Sequence, residues 1–178
     1  MTVVRRTRKG GFTLVEILIV VIILGILAAI VIPQFTSASQ DARKNSLTSQ
    51  LQTLRSQIEL YKLQHLDNLP SELIKSSGAN WTQFTMKTND QGTTGTTPAS
   101  SYPFGPYLQA DPKNPLNGGS TVGVVNADVT AGQAYTGAHG FVINSVNGKI
   151  WGTSAKTVTA GAGFIYDEAT PSASTNDN

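Results

Sequence analysis

The sequence contains no cysteine among its 178 residues and only two histidines. The absence of cysteine excludes disulfides, thiol nucleophiles, thiolate zinc sites and iron–sulfur clusters. Two histidines are too few for a His-rich metal site. The sequence also has no nucleophile–base pattern or phosphate loop, and the adjacent acids Asp167 and Glu168 are typical of a solvated surface. We therefore expect that the protein is not an enzyme.

Charged residues are also scarce, at 13% of the chain, and they are unevenly placed. Lys and Arg number 13 against 11 Asp and Glu, a formal net charge of +2. Four basic residues stand within the first nine positions, and the first acid is Glu16. Without those four, 13 − 4 = 9 basic residues face 11 acidic ones, which gives −2. The positive charge belongs to the leader, so net charge predicts no nucleic-acid partner.

One long apolar run follows this basic segment. It covers residues 12–32 and is interrupted only by Thr13, Glu16 and Gly25. As a helix, these residues span about 31 Å, the thickness of one bilayer core. The basic flank predicts an N-terminus in the cytoplasm. A cleaved secretory signal and a plain membrane anchor are two interpretations, although the run is longer than a usual signal core.

Glu16 calls for a third interpretation. A carboxylate in a membrane helix costs about 2.5–3.5 kcal/mol at the bilayer centre and less near an end. Such an acid usually has a partner. The simpler alternative is a carboxylate tolerated near the lipid headgroups.

Residues 9–35, KGGFTLVEILIVVIILGILAAIVIPQF, resemble the class III leader and N-terminal helix of type IV pilins and type II secretion pseudopilins. The resemblance implies that prepilin peptidase cuts between Gly11 and Phe12 and that the new Phe12 amine is methylated. It also implies that Glu16 pairs with the N-terminal amine of a neighbouring subunit. Pro33 lacks a backbone donor and is expected to kink or loosen the preceding turn; in the family, a proline here marks a segment that melts in the filament.

An apolar stripe at helical spacing continues beyond the membrane segment. Its members are Leu47, Leu51, Leu54, Ile58, Tyr61 and His65. It predicts one helix from Phe12 to about Leu66, packed on the sheet of its own domain, with a coiled coil to another chain as the alternative. Arg55–Glu59 and Glu59–Lys62 are expected to pair on the polar face.

The remaining sequence predicts a small head domain. Residues 70–78 suggest a helical turn capped by Ser71, residues 81–86 a strand, and residues 89–101 an exposed loop. Four prolines between positions 103 and 115 exclude a regular helix there.

A β-hairpin is the clearest local pattern in the head. Strands at about residues 140–146 and 149–153 flank Asn147-Gly148, a pair typical of a type I′ turn. The expected core contacts from this hairpin are Phe141, Ile143, Ile150 and Trp151. A further strand is expected within residues 157–166, and a disordered tail from Ala169.

The resemblance implies an α+β pilin fold, with a long helix packed on a small antiparallel sheet. Its segments are a leader at 1–11, a transmembrane or filament-core helix at 12–33, an amphipathic continuation at 34–66, a head at 67–168 and a tail at 169–178. It implies an inner-membrane subunit with a periplasmic head. Such a subunit forms a type II secretion pseudopilus with identical or related subunits, through prepilin peptidase, an assembly platform and its ATPase. A type IV pilus subunit, serving adhesion, motility or DNA uptake, and a membrane-tethered binding domain or enzyme are the alternatives.

Residues 105–116 also resemble the corresponding segment of the major, G-type pseudopilins, and the lack of cysteine agrees with that. The G-type resemblance implies a calcium site in a loop of the C-terminal region. Oxygen donors stand in suitable loops at Asp111, Asn114, Asn117 and Asp128, although their spacing is not that of an EF-hand. Ordinary turn formation by these Asx residues is the alternative interpretation.

Overall fold

The computed structural model describes residues 11–76, 78–96, 99–130, 133–137, 139–154, 162–166 and 168. The chain divides into two compact units, Met1–Gln40 and Asp41–Asn178. The first ten residues of the predicted leader and the predicted tail from Ala169 lie outside the described residues.

Helix α1 runs over Leu14–Gln64 and has 51 residues, which confirms the long helix predicted from the apolar periodicity. It ends where Leu66 and Asp67 adopt left-handed backbone angles, with φ of 54° and 63°. The Asp67 amide then donates to the Lys62 carbonyl at 2.8 Å. This bond is that of a Schellman cap, here with leucine at the position that usually holds glycine.

The predicted stripe on α1 is buried within the second unit. All six members are at most 1% exposed, and they belong to Asp41–Asn178. The stripe packs on the sheet of its own domain: a Cβ added at Gly152 would stand 2.8 Å from a Leu47 methyl carbon. Packing on its own sheet, rather than a coiled coil, therefore accounts for the apolar face.

After two short strands, β1 (Lys87–Thr88) and β2 (Thr94–Gly95), the head contains a five-stranded sheet. The order of strands across this sheet is β3 (Val122–Val125), β5 (Phe141–Asn144), β6 (Ile150–Ser154), β7 (Ala162–Ile165) and β4 (Ala134–Thr136). Strand β7 lies within the further strand predicted for residues 157–166. All pairs are antiparallel except β3 with β5, which are parallel. The α+β class is confirmed, and the sheet is mixed because the chain crosses to the far edge through β4 before it returns as β5.

The β5–β6 hairpin is confirmed, but the predicted type I′ turn is wrong. Ile143 pairs with Ile150, so the loop between the strands is longer than two residues. Gly148 has a φ of 76°, whereas Asn147 has no positive φ, and a type I′ turn needs both. The Gly148 amide donates to the Asn144 carbonyl at 2.9 Å, which closes one helical turn instead.

Trp151 was expected in the core, and this prediction is wrong. Ile150 is fully buried while Trp151 is only half-buried, because consecutive residues of a strand face opposite sides of the sheet. The core tryptophan is Trp81, whose ring meets Phe141 edge-on at 5.6 Å and whose Nε1 donates to the Ser120 carbonyl. The other predicted hairpin contacts, Phe141 and Ile143, are fully buried.

The strand predicted over residues 81–86 is also wrong, because Thr82–Thr85 forms a one-turn helix, α2. The Asn80 side-chain oxygen accepts from the Thr82 amide at 3.0 Å and begins the turn. Two alternating positions were too few to distinguish a strand from a turn. Two-residue strands β1 (Lys87–Thr88) and β2 (Thr94–Gly95) follow, so the predicted loop contains part of a short ladder.

The segments on either side of α2 agree better with the sequence. The amides of Leu73 and Ile74 both donate to the Pro70 carbonyl, which confirms a helical turn there. The predicted cap, Ser71, instead accepts a hydrogen bond from the side chain of Gln83. Residues 102–121 are all described and contain no helix, as the prolines predict.

Of the two ion pairs predicted on α1, one is present. Lys62 meets Glu59 at 3.3 Å, but Arg55 does not pair with Glu59. The Arg55 guanidinium donates to both carboxylate oxygens of Glu168, at 2.5 and 2.8 Å, and also to the Ile150 carbonyl. A two-pronged contact in a partly buried place is stronger than one exposed pair on a helix face.

Replacing Glu168 by glutamine is expected to lower the free energy of unfolding by about 1 kcal/mol, since both partners keep some exposure and are screened. The matched control, Glu59→Gln, should change it by less than about 0.5 kcal/mol. Urea unfolding of the full chain in detergent, followed by tryptophan fluorescence, measures both. Equal losses in the two variants would contradict this assignment of the pairing.

Candidate functional site

The N-terminus of α1 is organised by a reciprocal pair of side chains. The Thr13 hydroxyl oxygen accepts from the Glu16 amide at 3.2 Å, and the Glu16 carboxylate accepts from the Thr13 amide at 3.4 Å. This is a capping box, with threonine at the cap and glutamate three residues later. The sequence Thr-x-x-Glu before an apolar run is the local signal of such a cap. Thr13 therefore joins Glu16 in fixing where the helix starts.

The predicted processing residues lie just before this cap and are open to approach. Gly11 and Phe12 are exposed, with 82% of Phe12 accessible. Among the described residues, and apart from the chain neighbours of Gly11, no heavy atom lies within 4 Å of the position that a Cβ would take there. Nothing inside the described chain therefore requires glycine at this position.

The first unit presents a large apolar surface. Every large apolar side chain from Phe12 to Phe35 is exposed by at least 40%. Among the described residues, α1 is the one helix long and apolar enough to cross a membrane, judged by length and composition. In water, so large an apolar area is typical of a surface that a membrane or another protein covers.

Pro33 lies inside α1, and the helix continues through it. The hydroxyl of Thr36 donates to the Ile32 carbonyl at 3.2 Å, and that of Ser37 to the Gln34 carbonyl at 3.0 Å. Such back-bonding competes with the helix ladder and often accompanies bending. The predicted loosening of the turn before Pro33 stays a prediction.

His65, at the end of the buried stripe, is fully bonded within the fold. Its Nδ1 lies 2.8 Å from the Tyr61 carbonyl, its Nε2 lies 3.0 Å from the Thr88 hydroxyl, and its ring stacks on Tyr61. Burial, and secondarily the nearby Tyr107, raises the pKa of Tyr61 to about 12. These contacts describe a structural histidine at the edge of the core.

Two of the predicted calcium donors fasten a loop to the hairpin. Asn114 is fully buried; its amide nitrogen donates to the Gly140 and Thr153 carbonyls at 2.7 Å, and its oxygen accepts from the Leu116 amide. Asn117 donates to the Thr153 hydroxyl and accepts from the Gly119 amide. Both side-chain oxygens thus face backbone N–H groups, as in Asx turns.

Asp128 is bound at the other end of the same hairpin. Asp128 accepts hydrogen bonds from Asn144, Asn147 and Lys149. Asn114 instead donates to the carbonyls of Gly140 and Thr153, which lie at the open end of the hairpin. Four residues along a strand separate these places, about 13 Å. Calcium ligands all lie within about 2.6 Å of one ion, so Asp128 cannot share one with Asn114.

The four predicted donors therefore do not surround one common ion, and calcium binding stays a prediction. Asp111 is exposed, and the described part of the chain holds no group of three or more His, Cys, Asp or Glu residues placed for a metal. The Lys149 ammonium lowers the pKa of Asp128 to about 2, with help from the amides of Asn147 and Asn144. This carboxylate already has a cationic partner.

Comparison with known proteins identifies the N-terminal region. The family profile described as "Prokaryotic N-terminal methylation motif" matches residues 6–32. The chain is 43% identical over 56 residues to type II secretion system core protein G of Dickeya chrysanthemi, covering 32% of this chain and 37% of that one. It is 41% identical over 59 residues to the protein of the same name from Pseudomonas aeruginosa, covering 33% and 42%. In Klebsiella michiganensis the identity is 39% over 59 residues, again covering 33% and 42%.

The chain thus matches about two fifths of the length of these curated relatives. No solved structure matches it significantly. These matches confirm the resemblance of residues 9–35 to the N-terminal region of this family. The N-terminal region of this chain carries the prokaryotic N-terminal methylation motif and is similar to that of type II secretion system core protein G, a pseudopilin.

Proposed function

We propose that this protein is a structural subunit of a type II secretion pseudopilus. In this proposal the leader is removed after Gly11 and the chain polymerises through its N-terminal helix. The observation that carries the proposal is the identity of 36–43% to several core G proteins over the N-terminal region, together with the methylation motif. The exposed apolar helix and the capped Glu16 support it.

The apolar surface of the first unit has two alternative covers in this proposal. Before assembly, lipid covers the side chains from Phe12 to Phe35; after assembly, the corresponding helices of other subunits cover them. Lipid and leucine are almost equally apolar, so the hydrophobic effect gives the helix little reason to leave the bilayer. Extraction of the helix from the bilayer therefore needs an energy source, which in this proposal is the ATPase of an inner-membrane assembly platform.

Orientation follows from charge. The four basic residues of the leader hold the N-terminus on the cytoplasmic side, and the head lies in the periplasm. Prepilin peptidase would reach the exposed backbone at Gly11. A subunit of this kind works by assembling with copies of itself or related subunits, and the proposal gives it no catalytic residue.

Mass spectrometry of the intact protein tests the processing step. Purified from a host with prepilin peptidase, the chain should lack residues 1–11 and carry one added methyl group on Phe12. The matched variant Gly11→Leu should keep the whole leader, because the added side chain obstructs the peptidase, whereas a Cβ at this position is within 4 Å of no described residue other than its chain neighbours. A full-length mass for the wild-type protein would contradict the proposal.

A further inference from the structure

Asp128 lies in the connection between β3 and β4, and its side-chain partners among the described residues come from the end of β5 and the loop that follows it. One carboxylate oxygen accepts from the amide nitrogens of Asn144 and Asn147, both at 2.7 Å. The other oxygen binds the Lys149 ammonium. A single carboxylate thus gathers three donors within six consecutive residues of the hairpin.

The loop is shaped to present those donors. The side-chain oxygen of Asn144 accepts from the Val146 amide at 2.8 Å, and that of Asn147 from the Lys149 amide at 3.0 Å. These two Asx turns leave both amide NH₂ groups directed at Asp128. A divalent cation would require oxygens at these positions, and the loop offers nitrogen donors instead.

We propose that the Lys149 ammonium is the built-in counter-ion of Asp128, and that this contact fastens the β3–β4 connection to the hairpin without a divalent cation. The covalently attached cation takes the place that a bound calcium ion would have in a metal-stabilised loop. The inference concerns only the head domain and does not depend on the proposed function.

An isolated ion pair with this exposure, 60% for Lys149 and 45% for Asp128, contributes little to stability. Here the same carboxylate also satisfies two amides, so its loss frees three donors together. The expected consequence is a head whose stability responds to Lys149 and Asp128 and does not respond to calcium.

Thermal unfolding of the full chain in detergent tests this inference, with tryptophan fluorescence as the signal. The wild-type midpoint should be the same in excess chelator and in excess calcium. Lys149→Met and Asp128→Asn should each lower it by a few degrees. The double variant should be at least as stable as the less stable of the two single variants. Lys149→Arg keeps a cation and should preserve most of the midpoint.

Lys75→Met is the matched control, because Lys75 also pairs with a nearby carboxylate, that of Glu72, on an exposed turn. It should lower the midpoint less than Lys149→Met does. A wild-type midpoint that falls in chelator, or rises with calcium, would overturn the inference. An unchanged midpoint in Lys149→Met would overturn it equally.

Discussion

Replacing Glu16 by alanine is expected to leave the protein in the membrane while suppressing its assembly into filaments. Insertion depends on the apolar run, and removing a carboxylate makes that run more apolar. Assembly in the proposed filament depends on pairing this carboxylate with the amine of a neighbouring Phe12. Breaking such a buried pair costs about 3–5 kcal/mol, which lowers association by roughly two to four orders of magnitude.

Glutamine at position 16 separates the two roles of the side chain. In the structure, Glu16 accepts a hydrogen bond from the Thr13 amide, and glutamine can make the same capping contact. It cannot supply the negative charge. If the charge matters, Glu16→Gln fails to assemble as Glu16→Ala does; if only the cap matters, Glu16→Gln assembles normally.

The assay compares the membrane fraction with the filaments sheared or cross-linked from cells that produce each variant. Glu59→Ala is the control, since it removes a glutamate from the exposed face of α1 at a position paired with Lys62. That variant should insert and assemble like the wild type. Normal filaments from both Glu16 variants would show that the carboxylate has no part in assembly.

The long helix could be predicted because its determinants are local. An apolar residue every three or four positions defines one face whatever the partner, and the six members of the stripe are buried as that pattern requires. The capping box at Thr13 and Glu16 was equally visible in the sequence. A partner in another subunit already accounts for a charged Glu16 in an apolar run, so the prediction did not include the cap.

The head was less predictable because its contacts join distant parts of the chain. Nothing near Arg55 indicates that its partner is Glu168, 113 positions later. The turn at Asn147-Gly148 depends on an Asx contact of Asn144 and on Asp128, which lies before β4. Short alternating patterns, such as that after Trp81, do not distinguish strand from helix until tertiary packing decides.

Asn114 gives the largest effect expected on stability. Asn114→Ala removes the donor to the Gly140 and Thr153 carbonyls and the acceptor for the Leu116 amide, in a fully buried place. Gly140 keeps the Thr153 donors, so the cost comes mainly from the other two groups, about 2–4 kcal/mol in all. For a domain of this size the unfolding midpoint should fall by several degrees.

Asn114→Asp distinguishes this structural role from calcium binding. Aspartate has the same size, but it replaces the NH₂ donors by an oxygen that faces two carbonyls, so the variant should be at least as unstable as Asn114→Ala. In a calcium site, the added carboxylate would strengthen binding, and calcium would then raise the midpoint. The exposed Asn117→Asp serves as the control and should cost less. The buried amide nitrogen of Asn114 donates to the carbonyls of Gly140 and Thr153. We therefore expect that calcium restores the stability of neither Asn114→Ala nor Asn114→Asp.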